Sequence, residues 1–177
     1  MPTDSAAWTA PPVERTEPPF IADERAMLET WLDYHRATLL WKCAGLTAEQ
    51  LTVASAAPSN LTLLGLVRHM AEVERSWFRT RAAGVDVGWL FATEENGDAD
   101  ITDGTPASAE ADLAAFAREC ELASEAVADM SLEDTFRHPR GAEISLRWVY
   151  VHMIEEYARH NGHADLIRER IDGATGD

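Results

Sequence analysis

Apolar residues recur at intervals of three and four along four stretches of the chain. Leu28, Trp31, Leu32 and Leu39, with His35 among them, predict an amphipathic helix over roughly 23–46, with Asp23 as its N-cap. A short turn through Thr47–Leu51 and an Ala-Ala-Pro-Ser-Asn connector follow. Leu63, Leu66, Val67, Met70, Val73 and Trp77 then line one side of a second helix, which begins near Asn60 or Thr62 and stops at Gly84. Ser108 to Met130 is alanine-rich, with Leu113, Phe116 and Cys120 at helical spacing, and predicts a third. The strongest helical segment runs from about Ser145 to Ile171. No stretch alternates in the way a strand requires, so none is expected.

Between these segments the chain punctuates itself. Pro2, Pro11, Pro12, Pro18 and Pro19 make residues 1–20 an irregular tail, since proline removes donors and blocks helix. Residues 85–107, rich in Gly, Asp, Glu and Thr, read as an exposed acidic crossover. Asp98, Asp100, Asp103 and Gly104 hint at a calcium loop, but the turn glycine and the terminal glutamate are out of register, and the stretch is expected to be solvated. The expectation is an all-α, four-helix bundle with one long crossover loop, residues 21–177 forming a single domain.

Composition narrows the function. The 177 residues are 46% hydrophobic and 26% charged, which suits one ordinary globular core. Acidic residues outnumber basic ones 31 to 15, a formal charge of −16, and no basic patch offsets it. Such a surface repels phosphate backbones and anionic lipid, so neither a nucleic acid nor a membrane is an expected partner. No apolar run approaches the length of a membrane span and no signal peptide is visible. Cys43 and Cys120 stand in no metal-like spacing and fit buried thiols. A cytoplasmic location is expected.

The chemistry lies where polar residues interrupt apolar faces. One face of the fourth helix runs Val149, Met153, Glu156, His160, His163 or Ala164, Ile167, so a carboxylate and an imidazole sit mid-stripe. Burying an ionised glutamate is costly without a partner. Glu156 and His160 are four residues apart and point the same way. His69 interrupts the second helix's stripe similarly. These three would give two imidazoles and a carboxylate, a donor set for zinc, nickel or ferrous iron with a position left open. Spacing alone equally fits a hydrogen-bonded core His69 and a helix-internal Glu156/His160 pair. Glu155 and Arg159 read as a solvated ion pair, His152 as turned to that side, and His35 as bordering the same cavity. Trp8, Trp89 and Trp148, in or near less regular segments, are candidates to cover a pocket.

Two segments carry a family resemblance: Leu63-Leu-Gly-Leu-Val-Arg-His69-Met-Ala-Glu72-Val-Glu-Arg-Ser-Trp77, and His152-Met-Ile-Glu-Glu156-Tyr-Ala-Arg-His160-Asn-Gly-His163-Ala-Asp165-Leu166. They resemble the DinB/YfiT-like superfamily of metal-binding four-helix bundles, over about residues 22–172. That family pairs one histidine of the second helix with His-x-x-x-His of the fourth. Here Glu156 takes the first place of the pair, as in the mycothiol-dependent maleylpyruvate isomerase branch, although the spacing to Asp165-Leu166 differs by one residue. The resemblance implies a divalent metal, zinc or nickel foremost, held by His69, Glu156 and His160. It also implies a low-molecular-weight thiol such as mycothiol, a small electrophilic substrate, and transferase or isomerase chemistry, with homodimers common in such folds. Glu72 and His163 are the candidates for proton transfer or for support of the ligands. The alternative is a non-catalytic metal-binding or stress-response module with a structural site.

Overall fold

The computed structural model describes residues 7–138 and 140–176; residues 1–6 of the expected tail lie outside them. The fold is mainly helical. Helix α1 spans Glu24–Cys43 and α2 spans Ala48–Leu51; α3 spans Leu63–Glu74 and runs on as a π-helical stretch over Arg75–Ala82. Helices α4 (Ala99–Thr102), α5 (Ala109–Ala126) and α6 (Leu146–Asp172) follow. The caps are those the residues favour. Asp23 accepts from Ala26 N–H, Thr62 from Gly65 N–H and Ser145 from Trp148 N–H. Beyond the π-helical stretch, Gly84 adopts φ +70°, which a β-carbon would resist.

Packing follows the predicted stripes in part: Trp31 is exposed, and on α6 Tyr157 and Asn161, not Glu156 and His160, take the buried positions at mid-stripe. Helix α1 lies against α6 and α3 against α5, and α3 also touches α1 and α6. Leu32, Leu39, Leu63, Leu66, Val67, Met70, Phe116, Val149, Met153 and Tyr157 are buried together. Each such side chain contributes about 1.5–3 kcal/mol by leaving water. One ion pair is sealed within the core. Glu74 is fully buried and accepts from Arg36 Nε at 2.7 Å, Arg36 Nη2 at 2.6 Å and Tyr157 O–H at 2.7 Å. Arg36 also donates to Asp33 and Ser124, so both charges are fully partnered. At the other margin the N-terminal segment is tied to the helices through Ala10 and through Arg15, which lies over the Trp41 ring. Ala10 is buried, its N–H donates to Leu46 C=O and its C=O accepts from Gly45 N–H, both at 2.9 Å.

Two expectations are corrected. A two-stranded antiparallel hairpin, β1 (Thr135–Arg137) and β2 (Glu143–Ser145), joins α5 to α6 with Phe136 opposite Ile144. Three residues a strand is too short for alternation to register in the sequence. The 85–107 crossover is not uniformly solvated either, because α4 packs against α3 and Ala99 and Asp100 are buried. That contact needs a glycine: a β-carbon on Gly65 would lie 2.5 Å from the Ile101 carbonyl oxygen.

Candidate functional site

The site assembles where α3, α4 and α6 meet. His69 stands at the edge of the α3 stripe rather than inside the core. Its Nδ1 lies 2.8 Å from Asp100 Oδ2 on α4. A carboxylate only accepts, so the imidazole donates from Nδ1 and Nε2 is the ring nitrogen that Asp100 leaves unengaged. The His69 and His160 rings approach to 5.0 Å, nearly edge to face. On α6, His160 Nε2 lies 3.5 Å from Glu156 Oε2. His163 follows with its ring 5.5 Å from that of His160. The structure thus brings His160 beside His69, Glu156 and His163, but among the described residues the donor atoms of His69, Glu156 and His160 do not close into one group within 4.8 Å. These residues are only partly covered, with side-chain exposures of 26% for His69, 20% for Glu156 and 14% for His160, so the cluster is open to a ligand.

Nδ1 of His160 and Nδ1 of His163 are both buried without a hydrogen-bond partner. Buried polar atoms without a partner are uncommon in folded proteins, and two of the few here belong to neighbouring imidazoles. Burial, together with the neighbouring His69 and His163, pushes the His160 pKa down to about 4. His160 is therefore neutral at physiological pH and keeps the lone pair that a metal requires. The 3.5 Å between His160 Nε2 and Glu156 Oε2 exceeds a good hydrogen bond. It matches the roughly 3.4 Å edge of a tetrahedron built on metal–ligand bonds of about 2.0–2.1 Å.

Sequence spacing misplaced His152. Its Nδ1 does lie 3.8 Å from Glu155, but its Nε2 lies 3.5 Å from Glu156 Oε1, so it also faces the carboxylate from which it was expected to turn away. His152, Glu155 and Glu156 each offer a ligand atom within 4.8 Å of the others. Glu156 thus belongs to both donor sets, one oxygen toward His152 and the other toward His160. Glu155 is also engaged by Arg159 in the expected ion pair. The His152 ring stacks on Trp148 at 4.8 Å and meets Trp77 edge-on at 4.8 Å. His138, from the hairpin turn, lies on Trp77 as well, at 5.9 Å. An aromatic wall therefore flanks Glu156. His35 stands elsewhere, against Trp31 and Asn161, whose Nδ2 donates to the His35 carbonyl.

Glu72 is committed to the fold. Its Oε1 accepts N–H groups from Leu90, Phe91 and Ala92 at 2.5–2.8 Å and holds that part of the crossover to α3. Asp100 is the residue that sequence reasoning missed, having been counted in a solvated acidic run. The signal for it was indirect: Arg68 and His69 are adjacent on an apolar helix and both need acceptors. Arg68 is answered by Asp112 at 3.0 Å and by the carbonyls of Asp100 and Ala99. Neither cysteine offers a nucleophile. Both are free, and burial pushes Cys43 up to about 12 and Cys120 higher still.

Comparison with known proteins adds one finding. A family model described as mycothiol-S-transferase matches residues 27–173, which include every residue of the cluster. No curated protein and no solved structure matches the chain.

Proposed function

The chain belongs to the mycothiol-S-transferase family, within the DinB/YfiT-like superfamily, and from that premise we propose that it is a metal-dependent transferase of a low-molecular-weight thiol. In this reading its four long helical segments form a four-helix bundle. His69, Glu156 and His160 hold a divalent cation, for which zinc fits the two imidazoles and one carboxylate. The observation that carries the reading is the Asp100–His69 contact, which occupies Nδ1 of an imidazole whose ring lies 5.0 Å from that of His160. A carboxylate behind a ligating histidine is a recurrent support of metal sites.

A bound cation supplies the Lewis acidity that lowers the pKa of a thiol. The protein's own residues do the rest. Glu156 and His160 fix donors one turn apart, and Asp100 holds the His69 tautomer. His163 Nδ1, buried and unspent, takes the proton that the thiol loses. The sulfur forms its bond to the electrophilic carbon while the leaving group departs with the bonding pair. The aromatic wall of Trp77, Trp148 and His152 shields one side.

Elemental analysis of the purified protein beside H160A tests the site. About one transition metal per chain, lost in the variant, is expected; equal metal in both would reject the ligand set. Cobalt-substituted protein then separates enzyme from structural module. A change in its visible absorption on adding thiol marks an exchangeable position. An unresponsive spectrum marks a closed one.

A further inference from the structure

Arginines in this fold are answered by acids wherever they are covered. Arg36 pairs with Glu74, Arg68 with Asp112, Arg75 and Arg79 with Glu119, and Arg168 with Asp172. Arg81 is the exception. It is half-buried, its Nε is sealed from solvent without a partner, and no carboxylate stands within ion-pair distance of it among the described residues. Its guanidinium rests over the face of Trp77, 4.6 Å from the ring centre. Burial lowers its pKa, the mark of a cation short of solvation.

The place where this occurs is built. Arg81 lines a cavity of about 280 Å³ together with Glu72, Arg75, Ser76, Thr80, Asp86 and Trp89. Trp77, Arg81, Ser76 and Thr80 all belong to the π-helical stretch Arg75–Ala82, where Ala83 N–H reaches back five residues to Phe78 C=O. Such widened turns are rare and concentrate at functional sites. This one is pinned to α5, because Arg75 and Arg79 both donate to Glu119. Trp77 links the two regions: Arg81 of the cavity lies over its ring, and its neighbour His152 faces Glu156.

We propose that this cavity is a carboxylate-binding subsite, with Arg81 receiving the carboxylate of a substrate that has an apolar or aromatic body. Nε is closed off, so the two Nη groups are what a ligand in the cavity meets, in the planar fork that suits a carboxylate. Ser76 and Thr80 offer hydroxyl donors. Glu72 also lines the cavity, its Oε1 held by three N–H groups, and makes no ion pair with Arg81. Asp86 is exposed and opposes additional negative charge, which favours a monocarboxylate over a polyanion. Trp89, 63% exposed, presents an apolar surface to the rest of the ligand. The anion site stands on this geometry alone; its assignment to the substrate of the thiol transfer rests on the proposed function.

Benzoate is the probe, with benzamide as its neutral isostere, titrated calorimetrically into the purified wild-type protein, R81Q, R81K and H160A. Benzoate is expected to bind wild type and H160A alike, about tenfold more weakly to R81Q and at an intermediate level to R81K. Benzamide is expected to bind wild type at least about tenfold more weakly than benzoate. Unfolding midpoints confirm that each variant is folded. Benzoate binding that survives R81Q but disappears in H160A would overturn the subsite and place the anion at the metal, leaving the proposed function standing. Absence of benzoate binding in all four proteins would overturn the subsite without touching the metal analysis. Inorganic phosphate binding as tightly as benzoate would overturn the assignment to a monocarboxylate.

Discussion

In the proposed metal site Asp100 tunes His69 through Nδ1 without touching the cation. Replacing Asp100 with alanine removes the acceptor at His69 Nδ1 and frees the imidazole to change tautomer and rotate. The expected result is about a 10–100-fold loss of metal affinity with the helical content unchanged, measured by competition with a chelating dye. An affinity equal to wild type would separate Asp100 from the site. His160 supplies a second test. Its pKa in the folded protein is pushed down to about 4, against about 6.5 when exposed, so between those values the unfolded chain binds the extra proton. The contribution to stability is present in full above about pH 6.5 and is lost as the pH falls toward 4. In chelator-treated protein this amounts to on the order of 1–3 kcal/mol. The H160Q variant should flatten that part of the stability–pH curve. Glu156 and His160 were legible at this scale because four residues bring them to one face. Asp100 was not, because its partner lies 31 positions back and only the docking of α4 joins them.

Among elements, the long helices were legible and the short ones were not. Stripes such as Leu63, Leu66, Val67 and Met70 persist for enough turns to declare a period, whereas α4 and the β1–β2 hairpin span a single turn or three residues. The π-helical stretch leaves no sequence period of its own. Element packing also concentrates cost in particular pairs. The Glu74 carboxylate joins α3 to α1 through Arg36 and to α6 through Tyr157. E74Q leaves the buried Arg36 with Asp33 as its one carboxylate partner and sets an amide NH2 against its guanidinium, and about 3–5 kcal/mol of stability should be lost. The double replacement R36M/E74L should recover most of it. Urea unfolding decides; a loss below about 1 kcal/mol in E74Q would mean that the charge is relieved by some route other than this triad. Gly65 gives a gentler test of the α3–α4 contact. G65A places a β-carbon 2.5 Å from the Ile101 carbonyl, so α4 must withdraw and carry Asp100 with it. Metal affinity should then fall as in D100A, although neither the ligands nor Asp100 have changed.

For the molecule as a whole, the acidic surface and the covered arginines have separate tasks. The formal charge of −16 discourages contact with polyanions, and no described helix is long and apolar enough to cross a membrane. The arginines look inward, binding the crossover and the helix pairs to one another. Three neighbouring positions on α3 grip that crossover: Arg68 at the carbonyls of Ala99 and Asp100, His69 at the Asp100 side chain, and Glu72 at the amides of Leu90, Phe91 and Ala92. Binding and local order are therefore thermodynamically linked. Whatever engages His69 must favour the clamped arrangement of the crossover, and whatever loosens the crossover must weaken that engagement by the same factor. The amides of Leu90, Phe91 and Ala92 become a remote gauge of occupancy. Their deuterium uptake should slow on adding metal to the wild type and remain unchanged on adding it to D100A.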